Sequence, residues 1–185
     1  MKLSELRATC VSLLTKEGIE RPFYVTDIII ARTLCVQKSL LITKYDETVP
    51  PQKCEGIFAL VRRRLTREPL SYILGEAEFY GRPFAVGPGC LIPRPATQLL
   101  GGAMPQLVPQ TCPSADDGTR SGRIGITLAL ERPWLSGLGV DYSTEALKYA
   151  AENIKKHAVG DRFTLLQNSE PSEAGAEPGS LDVIP

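Results

Sequence analysis

Seven consecutive residues, Asp116-Asp117-Gly118-Thr119-Arg120-Ser121-Gly122, carry the side chains best suited to chemistry in this chain. Glycines and hydroxyls set among carboxylates describe a turn whose backbone can close on a bound ligand, because glycine takes positive φ and presents no Cβ. Roughly twenty residues further on, the spacing required by a strand–turn–helix–strand unit, stands Asp141, after an apolar run and before a helix start. A carboxylate in that place can accept hydrogen bonds from both hydroxyls of a ribose. It can equally complement a helix dipole and nothing more. The candidate binding residues are therefore Gly118, Thr119, Ser121, Gly122 and Asp141. Arg120 is the odd member of the loop: its length would crowd a ligand, and it adopts positive φ only at a cost.

Few other residues invite a chemical role. His157, the single histidine, falls at a helix end, where a surface cation is favoured by the dipole. Cys10, Cys35, Cys54, Cys90 and Cys112 are scattered without the paired spacing of a zinc or redox motif, so no metal is expected. Arg62-Arg63-Arg64 with Arg67 makes a basic helix end that is stabilising in itself. Pro93 and Pro95 hold Arg94 in an extended frame suited to a pocket wall. Trp134 and the tyrosines read as core or boundary residues.

The elements that must position these residues fall into three stretches, 1–74, 75–97 and 98–185. Leu3, Leu6, Cys10, Leu13 and Leu14 recur at helical spacing before Gly18, giving a helix over 3–17. A second helix is expected over 25–35 with Thr26 or Asp27 near its start, although the triplet Ile28-Ile29-Ile30 lowers its propensity. A short third covers 39–44, and Pro50-Pro51 opens a fourth with Cys54, Ile57, Phe58, Val61 and Leu65 on one face. Residues 1–74 thus form a helical bundle. Phe79-Tyr80 and Phe84-Ala85-Val86 flank Gly81-Arg82 as a hairpin over 76–87. Residues 101–123 read as loop, and no apolar run in 110–115 supplies a strand ahead of the glycine turn. A helix from Ile124 to Leu130, a strand from Leu135 to Val140, a helix capped by Ser143 with Leu147 and Ile154 inward, and a strand from Phe163 to Leu166 follow. Residues 168–180 read as loop, and Leu181-Asp182-Val183-Ile184 begins another strand. Strand–helix–strand order implies an α/β class with a parallel, doubly wound sheet.

Composition narrows the classes. Within 185 residues, 21 basic side chains balance 21 acidic ones, which argues against general nucleic-acid binding through a cationic surface. No apolar run approaches the ~20 residues that span a bilayer. An odd cysteine count without a secretory leader suggests reduced thiols. A soluble, intracellular protein is expected, in the cytoplasm or an organelle matrix, with a monomer as the simplest state.

The run REPLSYILGEAEFYGRPFAVGPGCLIPRP, from Arg67 to Pro95, closely resembles the hairpin of the HemK/PrmC family, the protein-glutamine methyltransferases of translation release factors. That family carries a "PLxYIxGxxEFxGxxF" run followed by "LIPRPET"; here Ala96 replaces the acidic residue. The family's cofactor loop is "D-x-G-T-G-S-G". Asp116, Gly118, Thr119, Ser121 and Gly122 match it, and Arg120 departs from it. The resemblance implies S-adenosyl-L-methionine as cofactor, a Rossmann-like methyltransferase domain present here in part, and a bundle that docks a release factor. It further implies as substrate the glutamine amide of a Gly-Gly-Gln loop. The family's reacting "N-P-P-Y" tetrapeptide, which orients that amide by accepting both its hydrogens, does not occur in residues 1–185, so no catalytic residue is assigned and this stretch alone is expected to be inactive. Two alternatives stay open: a non-catalytic, truncated binding module, and a methyltransferase of a nucleic-acid amino group.

Overall fold

A computed structural model describes residues 1–92, 114–168 and, for the backbone alone, 182–184. Arg94 with its flanking prolines, Cys112, Ser169, Glu170 and most of the 168–180 loop lie outside the described residues. The chain divides into two compact units, Met1–Leu74 and Gly75–Pro185.

In the first unit the apolar spacing acts as read except at Leu13, which is exposed, Val11 taking the buried place instead. Helix α1 (Leu3–Lys16) buries Leu3, Leu6, Cys10 and Leu14 and stops at Gly18, whose φ is +63°. Helix α2 (Pro22–Leu34) begins three residues earlier than Val25, with Pro22 in its first turn. Thr26 and Asp27 therefore do not cap it. Thr26 is buried mid-helix, and Asp27 accepts from Arg7 Nε at 2.6 Å and Nη2 at 3.0 Å. Ile29 and Ile30 are fully buried; burying each contributes about 1.5–3 kcal/mol, which outweighs a propensity deficit of under about 1 kcal/mol. A 3-10 helix (Lys38–Lys44) replaces the expected third α-helix. Helix α3 (Pro51–Leu65) buries Cys54, Ile57 and Val61, with Phe58 and Leu65 half-buried, and the short α4 spans Leu70–Leu74. The basic end of α3 is locally engaged: Arg63 Nε donates to Glu68 at 2.8 Å, and Arg67 Nη2 donates to the Glu17 carbonyl at 2.8 Å.

The second unit opens with the hairpin β1 (Glu76–Phe79) and β2 (Arg82–Ala85). Its two-residue turn is Tyr80-Gly81, both at positive φ, so Arg82 belongs to the strand and the turn sits one residue earlier than Gly81-Arg82. Phe79 and Phe84 meet edge to face and pack with Ile126, Ala129, Val159 and Phe163. His157 is half-buried against the Phe84 ring at 4.5 Å, with Nε2 3.1 Å from the Pro83 carbonyl, rather than free on the surface.

Four parallel strands follow in the order β5-β4-β3-β6. They are β3 (Ser114–Asp117), β4 (Gly137–Asp141), β5 (Phe163–Gln167) and β6 (Asp182–Ile184), joined in part by α5 (Arg123–Glu131) and α6 (Thr144–His157). The loop reading of 101–123 fails at its end. Ser114–Asp117 is an inner strand paired on both sides, its Ser114, Ala115 and Asp116 all buried. Pairing and coverage bury these small and polar residues, a burial that hydropathy does not register. On α6 the fully buried positions are Ala146, Ala150 and Asn153, whereas Leu147 and Ile154 are half-buried. Trp134 and Tyr142 are exposed, not core. The class is α/β: a helical bundle, a hairpin, and a parallel sheet with helices in Rossmann-like order. Among the described residues no helix is long and apolar enough to cross a membrane.

Candidate functional site

The order β5-β4-β3-β6 places successive crossovers in opposite directions from β3, which makes the carboxyl ends of β3 and β6 a topological switch point. Ligands in open parallel sheets bind in the crevice outside such ends. The glycine turn leaves β3 there, and Asp141 ends the neighbouring β4.

Asp116 shapes the turn from within. Its Oδ2 accepts from Thr119 Oγ1 at 2.8 Å and from the Gly125 N–H at 3.0 Å. Burial pushes its pKa up to about 6, against the pull of those two donors and of Arg123. The Thr119 N–H donates to the Val140 carbonyl at 2.9 Å, tying the turn to the adjacent strand. Gly118 has φ +65°, and a Cβ built on it would meet nothing within 4 Å: the loop leaves open space there. Gly122, at φ +74°, begins α5, and a Cβ on it would meet Ile126 Cδ1 at 2.8 Å.

Arg120 takes the left-handed conformation itself, at φ +54°, with its side chain exposed. The glycine-like backbone path is thus kept at a cost of about 1 kcal/mol. The Arg120 N–H donates to Asp141 Oδ2 at 2.8 Å, and the Ser143 N–H donates to Oδ1 at 2.9 Å. A carboxylate offers about four acceptor positions, and the described residues fill one on each oxygen of Asp141, which is 6% exposed. The five residues singled out in the sequence are therefore brought together, in different attitudes. Gly118 borders open space, Asp141 sits at the strand end, and Thr119, Ser121 and Gly122 are buried and form the turn.

Two residues went unnoticed in the sequence. Arg123, the first residue of α5, is 4% exposed and donates from Nη2 to the Leu91 carbonyl at 2.7 Å; burial lowers its pKa. Asn153 is fully buried behind the turn. Its place on the Ala146–Ala150 stripe was the available signal, since a polar side chain on an inward face must find partners. Asn168, after β5, donates its N–H to the Asp141 carbonyl at 3.1 Å. Among the described residues, no group of three or more His, Cys, Asp or Glu side chains could hold a metal ion.

Comparison with known proteins agrees with this architecture. Residues 5–75 match the PrmC N-terminal domain. The chain is 38% identical over 166 residues to the release factor glutamine methyltransferase of Nitratidesulfovibrio vulgaris, covering 89% of this chain and 56% of that protein. With its Aliivibrio fischeri counterpart the identity is 30% over 195 residues, covering 96% of this chain and 69% of that one. The chain belongs to the release factor glutamine methyltransferase family. A third member, from Chlorobaculum tepidum, is 33% identical over 189 residues and 64% covered. The chain thus spans between 56% and 69% of these three relatives.

Proposed function

We propose that this chain is the docking bundle and the front, cofactor-binding part of an S-adenosylmethionine-dependent methyltransferase acting on the glutamine amide of a release factor's Gly-Gly-Gln loop. The observation that carries the reading is the glycine turn at the switch point, locked to Asp141 by the 2.8 Å bond from the Arg120 N–H. The open space at Gly118, and an Asp141 carboxylate with one acceptor position on each oxygen left unfilled by the described residues, suit an adenosyl ligand.

In this reading the main chain of Gly118, Thr119, Ser121 and Gly122 lines the ligand, and Asp141 accepts the ribose hydroxyls. The bound cofactor supplies an electrophilic methyl group. Asp116 supports the loop from beneath without facing the ligand, since its Oδ2 is taken by Thr119 and Gly125. Residues 1–74 carry the release factor; the balance of 21 basic and 21 acidic side chains disfavours a nucleic-acid substrate. A transfer assay with radiolabelled methyl donor and a release factor tests this, using the chain extended through the family's asparagine-bearing tetrapeptide. Label on the Gly-Gly-Gln glutamine, lost with Asp141→Ala, supports the reading. Label elsewhere, or none in the extended wild type, overturns it.

A further inference from the structure

The carboxamide of Asn153 joins two parts of the second unit that the chain separates by more than thirty residues. Its Oδ1 accepts the Ala85 N–H at 2.6 Å, and its Nδ2 donates to the Ala85 carbonyl at 3.0 Å and to the Ser121 carbonyl at 2.9 Å. The orientation is dictated by chemistry: reversed, the amide would set its NH2 against an N–H and its oxygen against two carbonyls. Ala85 belongs to β2, and its N–H and carbonyl point away from β1. The carboxamide thus pairs with β2 as a one-residue neighbouring strand, and its remaining hydrogen reaches the glycine turn.

The surroundings leave little slack. Asn153 is 0% exposed. Beside it on α6, Ala150 Cβ lies 3.4 Å from where a Cβ on Gly122 would stand. On the adjoining face, Tyr149 and Glu145 pack against Gly87 and Gly89, the segment that leaves β2. Helix α6 is therefore the common floor of the hairpin exit and the turn, and Asn153 supplies hydrogen bonds to both.

We infer that Asn153 is a positioning residue that fixes hairpin strand β2 and the 118–122 turn as one body, so that the seat for the cofactor is set by the hairpin. This rests on the reading of 118–122 as the cofactor loop, but the coupling itself can be read without a ligand. The Asn153 amide has its oxygen and both hydrogens engaged, and losing it leaves the Ala85 and Ser121 main-chain groups without these partners.

Three measurements decide it. In the wild type, amide hydrogen exchange is followed with and without S-adenosylhomocysteine. Coupling predicts at least threefold slower exchange at the Ala85 N–H on saturation, although Ala85 is not in the proposed seat. In Asn153→Asp without ligand, exchange at Ala85 and Thr119–Gly122 should rise at least tenfold above any change in β5. Titration with the same ligand should show affinity at least tenfold weaker in N153D than in wild type at pH 7.5. The gap should narrow towards pH 5. There the introduced carboxyl, whose pKa burial raises, regains an O–H donor. Should the variant not fold, the wild-type exchange stands as the test. Unchanged Ala85 exchange on saturation, uniform acceleration throughout the variant, or a pH-independent affinity gap would each overturn the inference. Absence of any binding to wild type, with the selective exchange response in N153D intact, would overturn the cofactor reading and leave the coupling in place.

Discussion

The main-chain N–H of Arg120 and the Oδ2 of Asp141 stand 2.8 Å apart, joining the turn after one strand to the carboxyl end of the next. The bond uses backbone on one side, so it persists although a long cation occupies a position where the family has glycine. The other Asp141 oxygen accepts the Ser143 N–H at 2.9 Å, so the one carboxylate holds both the turn and the approach to α6.

Removing that carboxylate should therefore cost stability as well as binding. Asp141→Ala leaves the Arg120 and Ser143 N–H groups without their acceptor, a loss of about 1–3 kcal/mol in a partly buried setting. Chemical denaturation measures it; a change under about 0.5 kcal/mol would mean that the carboxylate does not organise the turn.

Arg120→Gly separates backbone from side chain. The left-handed strain of about 1 kcal/mol is relieved, and the looser unfolded chain takes back about 0.4–1 kcal/mol. The melting temperature should hardly move, whereas affinity for the positively charged cofactor should rise as a nearby cation is removed. Weaker binding in the variant would show that the arginine contributes to the seat.

Asp116 makes stability depend on pH. Its folded pKa of about 6 lies above the ordinary carboxylate value, so the folded state holds the proton more tightly. That contribution is complete below the unfolded pKa near 4 and disappears as pH rises through 6. Asp116→Asn keeps an acceptor oxygen for Thr119 and Gly125 without the buried charge. Between pH 4 and 7 its stability relative to wild type should therefore improve by up to about 3 kcal/mol. A pH-independent difference in urea melts would refute the buried charge.

Gly125 allows α5 to lie on the sheet, because any Cβ there would run into the Phe163 ring. Gly125→Ala should cost about 1–3 kcal/mol as overpacking, and Phe163→Leu should restore part of it in the double variant. Strict additivity in that cycle would place the strain elsewhere.

How much of this could be read in advance depended on where the physics is local. The hairpin is visible because Phe79 and Phe84 alternate inward around a glycine, but the sequence points to Gly81-Arg82 where the chain turns at Tyr80-Gly81. Helices α1, α3 and α6 announce themselves by apolar spacing, prolines or the Ser143 cap, which accepts from the Ala146 N–H at 3.2 Å. Strand β3 did not, because Ser114, Ala115 and Asp116 owe their burial to β4, β6 and the elements around them, not to their own hydropathy. Type and spacing suffice to bring the 116–122 turn and Asp141 together, as the Arg120 N–H bond to Asp141 does. The burial of Arg123 and the bridging by Asn153 depend on Leu91, Ala85 and Ser121, partners remote in sequence.

The central claim is that the turn and Asp141 seat an adenosyl ligand. Calorimetric titration of residues 1–185 with S-adenosylmethionine, beside Asp141→Ala and Asp116→Asn, tests it most directly. One-to-one binding in wild type and D116N, lost or weakened at least tenfold in D141A, is the predicted result. No heat at millimolar ligand, or the same affinity with and without the Asp141 carboxylate, would contradict it.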